Sequence, residues 1–134
     1  MSVQLTKDSI DLGIVVTDIE ASLKFYRDTL GFTFVADGPM PGGMHMWRLM
    51  CGTSMIKLVT FDPTPEARPA KGGIGGATGY RYWTMSVSNI QEITDAVAAA
   101  GYKVRIPVTE IRANTSISMV EDPDGNWVEF LAIG

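Results

Sequence analysis

The chain has 134 residues, 46% of them apolar, and a formal net charge of -4 at neutral pH. That length and apolar content suffice for a packed core, and the acidic balance argues against nucleic acid and anionic membrane surfaces as partners. One cysteine, Cys51, excludes an intrachain disulfide, and no apolar run approaches the roughly 18 residues of a membrane span.

Along the chain, a β-branched run predicts a strand near Ile10 to Thr17. A helix from about Asp18 to Leu30 follows through the capping-box pattern Thr17-x-x-Glu20, with Ile19, Leu23, Tyr26 and Leu30 recurring as its buried face. Gly31 stops the helix, and strands are predicted near Phe32 to Asp37, Met44 to Cys51 and Met55 to Phe61. This is a βαβββ unit.

Next comes DPTPEARPAKGGIGGATG, whose prolines and glycines read as a linker over about 62–79 that could close as a lid. Its run Gly72-Gly73-Ile74-Gly75-Gly76 is not a phosphate loop, because no Gly-Lys-Ser/Thr follows and no helix opens directly after it. The first pattern then recurs. A strand near Tyr80 to Val87 leads through Ser88-x-x-Gln91 into a helix from about Asn89 to Ala100, with Ile90, Ile93 and Val97 inward. Gly101 ends that helix, and strands follow near Tyr102 to Pro107, Thr115 to Glu121 and Trp127 to Ile133. The expected fold is therefore α+β, one domain over 1–134 in which two tandem βαβββ units, about 9–61 and 80–133, form curled mixed sheets around a ligand cavity.

Strand alternation adds facing. Lys57 points opposite to Ile56 and Leu58, and Glu129 opposite to Val128 and Phe130, so apolar neighbours on the helix side send both charges toward the cavity. Trp127 shares the parity of Glu129 and reads as a ligand wall, whereas Trp83 falls under a helix. Met40, Met44, Met46, Met50 and Met55 read as core filler. The strand carrying His45 and Arg48 has no fixed register after Pro41-Gly42-Gly43. If His45 faces inward it is a ligand-binding acid or base, and Arg48 can clamp a carboxylate.

The segments IDLGIVVTDIEASLKFYRDTLGF and EDPDGNWVEFLAIG resemble the vicinal oxygen chelate superfamily, which includes glyoxalase I, bleomycin-resistance proteins, extradiol dioxygenases and fosfomycin-resistance enzymes. The resemblance spans about Ser9 to Ala132. It implies two βαβββ units enclosing a ligand cavity, and a homodimer. In metal-dependent relatives the ion sits on the first and last strands of each unit, and the matching positions here are Asp11, Lys57, Tyr82 and Glu129. Only Glu129 keeps the family's usual ligand type, so no metal or other cofactor is expected. Lys57 supplies the positive charge instead.

With those four as catalytic residues, Glu129 or Asp11 is the general base, Tyr82 the proton donor or oxyanion stabiliser, and Lys57 the charge opposite a developing enolate. The leading expectation is a metal-independent lyase or isomerase that removes a proton beside a carbonyl of a small organic molecule. A drug- or metabolite-sequestering protein of bleomycin-resistance type is the alternative, and a metal-dependent glyoxalase- or dioxygenase-like enzyme is the third. The opening MSVQLTKDSI lacks the features of a secretory signal, which gives the expectation of a cytoplasmic protein.

Overall fold

The computed structural model describes residues 1–134 and contains two βαβββ repeats, each with its own four-stranded mixed sheet. They fall in two compact units, Met1–Pro65 and Glu66–Gly134. No helix is long and apolar enough to cross a membrane.

The first unit runs β1 (Leu12–Val15), α1 (Ile19–Leu23), β2 (Thr33–Met40), β3 (Met44–Cys51) and β4 (Ser54–Phe61), with sheet order β1-β4-β3-β2. β1 lies parallel to β4, and the other pairs are antiparallel. Asp18, not Thr17, caps α1: its carboxylate accepts from the N–H groups of Glu20 and Ala21 at 3.1 and 3.3 Å. After Leu23 the helix widens into a π-helical stretch, Lys24–Thr29. Leu30 N–H there donates to the Phe25 carbonyl at 2.9 Å, and Phe32 N–H to that of Tyr26 at 3.0 Å. The extra residue in the turn rotates later positions about the axis, so Leu30 is only partly buried while Phe25 and Tyr26 are both fully enclosed. Their rings meet edge to face at 4.7 Å, and Tyr26 stacks on Phe32 at 5.9 Å. Burial contributes roughly 1.5–3 kcal/mol for each such side chain. Leu49, Ile56 and Leu58 form the sheet side of this core.

The second unit runs β5 (Tyr82–Ser86), α2 (Ile90–Ala99), β6 (Val104–Arg112), β7 (Thr115–Glu121) and β8 (Trp127–Ile133), in the order β5-β8-β7-β6. The α2 cap is Asn89, one residue beyond the expected Ser88, and its side chain makes no capping bond to the backbone. Thr94 and Val97 are the fully buried positions of α2, with Ile90 and Ile93 partly covered. Thr94 is tolerated there because its hydroxyl donates to the Ile90 carbonyl at 2.7 Å and meets the Ser118 hydroxyl at 2.8 Å.

β2 and β6 extend beyond their expected ends at Asp37 and Pro107, to Met40 and Arg112. Both are edge strands, and both carry bulges, the setting in which Gly38, Pro39 and Pro107 do not interrupt a sheet.

The EDPDGNW turn joins β7 to β8 around Asp122, which is 4% exposed. Its carboxylate accepts from the backbone N–H of Asp124 and Asn126 at 3.0 and 2.8 Å and from the Asn126 side chain at 2.9 Å. This turn sets the start of β8, and with it Trp127 and Glu129. Asp122→Ala takes the acceptor from those part-buried donors and is expected to lower unfolding stability by about 1–3 kcal/mol, read from the urea midpoint. Asp122→Asn is expected to lose less.

Candidate functional site

Register decides facing in the first unit. Lys57 of β4 is paired with Gly13 of β1 on one side and Arg48 of β3 on the other. Leu49, Ile56 and Leu58 are buried on the helix side, so Arg48 and Lys57 project from the opposite face. By the same parity, Met40, Met44, Met46, Met50 and Met55 join them there. None of these five methionines is fully buried, and Met40 is 36% exposed, which corrects the expectation of core filler.

Asp11 immediately precedes β1. Its Oδ1 accepts from Lys7 Nζ at 2.6 Å and from Met55 N–H at 3.3 Å, and its Oδ2 lies 3.7 Å from Lys57 Nζ. The Lys7 hydrogen bond, with help from the Met55 N–H and the Lys57 charge, outweighs partial burial and holds the Asp11 carboxyl below its usual range.

The second unit repeats the register. Glu129 of β8 faces Thr84 of β5, as Lys57 faces Gly13, and Tyr82 stands two residues before Thr84 as Asp11 stands two before Gly13. Thr84 Oγ1 donates to Glu129 Oε1 at 2.6 Å, and no cation pairs with Glu129. Tyr82 is 46% exposed and lies opposite Trp127. The segment expected as a linker is pinned against this half. Arg81 donates to the carbonyl oxygens of Gly73 and Ala70. Gly73 rests on the Trp127 ring so closely that a Cβ there would lie 2.7 Å from Cζ2. The glycines answer to close packing: a Cβ on Gly76 would overlap the Lys71 carbonyl oxygen.

Two ligand-binding expectations separate. Arg48 shares the Lys57 face. His45 lies on the other face with Trp47 and Leu49, its Nε2 2.7 Å from Asp37 Oδ2 and its ring 4.1 Å from that of Trp47. Sequence reasoning missed Thr84, Lys7 and Arg81. Thr84 was accessible through parity with Tyr82, but nothing in the sequence marks Lys7 as a partner of Asp11.

A family model described as the Glyoxalase/Bleomycin resistance protein/Dioxygenase superfamily matches residues 9–130. The chain belongs to this superfamily. It is 27% identical over 117 residues to a lactoylglutathione lyase of Haemophilus influenzae, a match covering 87% of this chain and 85% of that protein. A probable lactoylglutathione lyase of Synechocystis is 28% identical over 119 residues, covering 88% and 89% respectively. Among solved structures, a glyoxalase family protein from Bacillus cereus superposes with a TM-score of 0.84 at 16% identity, over 98% of this chain and 96% of that one, a likeness of fold.

The resemblance implies metal positions at Asp11 and Lys57 in the first unit and at Tyr82 and Glu129 in the second. This donor set does not fit a transition metal, which favours imidazole, thiolate and unencumbered carboxylate. In the first unit Lys57 is an ammonium and the Asp11 carboxylate is engaged by two lysines, and in the second Tyr82 is a phenol. No three His, Cys, Asp or Glu side chains converge as a metal-binding group.

A carboxyl held below its ordinary range adds stability that is complete above its unfolded-state pKa and is lost as pH falls through the lower, folded value. In a carboxyl-carbon NMR titration, Asp11 is expected to protonate below the ordinary aspartate range. Lys7→Ala is expected to move its midpoint upward, because the largest stabilising contact is gone.

Proposed function

We propose that the protein is a metal-independent lyase or isomerase that moves a proton at the carbon beside a carbonyl of a small organic substrate. The observation that carries this reading is Lys57: a cation stands at a position where metal-dependent relatives place a ligand, held by Asp11 at 3.7 Å. A fixed ammonium supplies the electrostatic stabilisation of a developing enolate oxygen.

The environments of the two carboxylates divide their roles. Asp11 is ion-paired with Lys7 and Lys57 and is a poor proton acceptor, so it acts as the positioning residue for Lys57. Glu129 receives one neutral donor, Thr84, and is the general base. In the proposed step on a 2-hydroxy carbonyl substrate, Glu129 removes the proton from the hydroxyl-bearing carbon, the electron pair moves onto the carbonyl oxygen, and Tyr82 protonates that oxygen to give the enediol. Protonated Glu129 then returns its proton to the former carbonyl carbon while the adjacent hydroxyl gives its proton to the Tyr82 phenolate, which yields the isomer and restores both side chains. The lyase class is supported by the two curated relatives, whose names describe lactoylglutathione lyases.

S-lactoylglutathione in deuterium oxide, with chelator-treated protein, is the first probe. Deuterium is expected to enter at the lactoyl carbon beside the thioester carbonyl, followed by proton NMR, and to do so with chelator present. Lys57→Met and Glu129→Gln are each expected to lower the rate at least a hundredfold, with Glu129→Gln binding the probe within about tenfold of the parent. Non-additive losses in the double variant are expected if both act on one substrate. Probe returned without deuterium overturns the catalytic reading in favour of sequestration. Activity lost on chelation and restored by a divalent metal overturns its metal independence.

A further inference from the structure

Arg48 and Lys57 are directly opposed across the β3–β4 pair, on the face that α1 does not cover. Like charges in this relation destabilise a sheet. The protein offsets them only in part. Arg48 makes no ion pair, and its guanidinium reaches only the Met40 sulfur, at 4.0 Å. Lys57 has Asp11 at 3.7 Å, but that carboxylate already accepts from Lys7 at 2.6 Å. The two heads lean apart, Arg48 toward β2 and Lys57 toward β1.

Two lysines thus share the Asp11 carboxylate, and Arg48 across the sheet from Lys57 adds a cation with no ion pair, on a chain whose net charge is -4. Beside them Met44, Met46, Met50 and Met55 present half-buried thioethers, side chains that adapt to irregular apolar shapes. A charge excess maintained against sheet stability, within an adaptable apolar surface, is the composition of a recognition site for an amphipathic anion.

We propose that Arg48 and Lys57 form a carboxylate-binding subsite, with Arg48 as the bidentate anchor and the methionines as the bed for the ligand's apolar body. The proposal rests on the reading of the Lys57 face as substrate-binding, and it adds the substrate class: a small organic acid with an apolar portion.

The test uses protein labelled with carbon-13 at the methionine methyls, titrated with phenylacetate and with its neutral analogue phenylacetamide. Phenylacetate is expected to shift the methyls of Met44, Met46, Met50 and Met55 saturably, and phenylacetamide to bind at least tenfold more weakly. Arg48→Met is expected to weaken phenylacetate binding at least tenfold while raising Tm, since the opposed charges are gone; a purely structural Arg48 predicts a lower Tm. Arg48→Lys is expected to lie between. Should Arg48→Met not fold, Arg48→Gln serves for the binding comparison. Equal binding of acid and amide, or undiminished affinity in the neutral Arg48 variant, overturns the proposal. Binding is read without turnover: protein that binds phenylacetate over phenylacetamide but exchanges no deuterium loses the catalytic reading alone, and protein that exchanges deuterium without preferring the acid loses this proposal alone.

Discussion

Each sheet depends on one long-range parallel pairing, β1 with β4 and β5 with β8, and the relation of Asp11 to Lys57 and of Tyr82 to Glu129 follows from its register. The partners are far apart in sequence, so no tight turn sets their alignment. It is set by burial: Ile56 and Leu58 in one unit, and Val128 and Phe130 in the other, must lie against their helices. A slip of one residue would send Lys57 and Glu129 into those cores and expose the apolar side chains instead, exchanging several kcal/mol of burial for unpaired charge. Catalytic candidates and core residues are thus specified by the same alternation.

Within that frame, the carboxylates of Asp11 in the first unit and Glu129 in the second have different surroundings. Asp11 lies between two ammonium groups and a backbone N–H, contacts that favour its ionised form. Glu129 has a single neutral hydroxyl donor. Divergent environments for similar groups are how one fold separates electrostatic and proton-transfer roles. The superfamily scaffold is kept, and its first unit presents a lysine from the sheet face opposite the core.

Much of this was legible in the sequence because the repeat displays each element twice and alternation of apolar residues fixes strand faces. Lys57, Glu129 and Trp127 were placed by parity alone. The helix caps were missed by one residue each, since Thr17-Asp18 and Ser88-Asn89 offer adjacent capping residues and the pattern cannot choose between them. The widened turn at Lys24–Thr29 has no periodic signal of its own, so Leu30 was assigned to the core and Phe25 was not. The methionine face was invisible because β3 carries apolar residues on both sides, and only its pairing with β4 reveals which of them share a surface with Lys57. Lys7 and Arg81 act through contacts made outside regular strands and helices, where spacing carries no information.

The segment between the repeats has the composition of a spacer, yet the part of it between Ala70 and Gly76 leaves little room for change. Arg81 holds the carbonyl oxygens of Ala70 and Gly73, Gly73 lies on an indole, and Gly76 nearly touches the backbone of Lys71. Lengthening or cutting the chain there would free the arginine and uncover Trp127. The preceding stretch, residues 64–69, is exposed and bears none of those constraints. Permissive sites for grafted loops, tags or proteolytic nicks therefore end just before the glycines that look, by composition, most like slack.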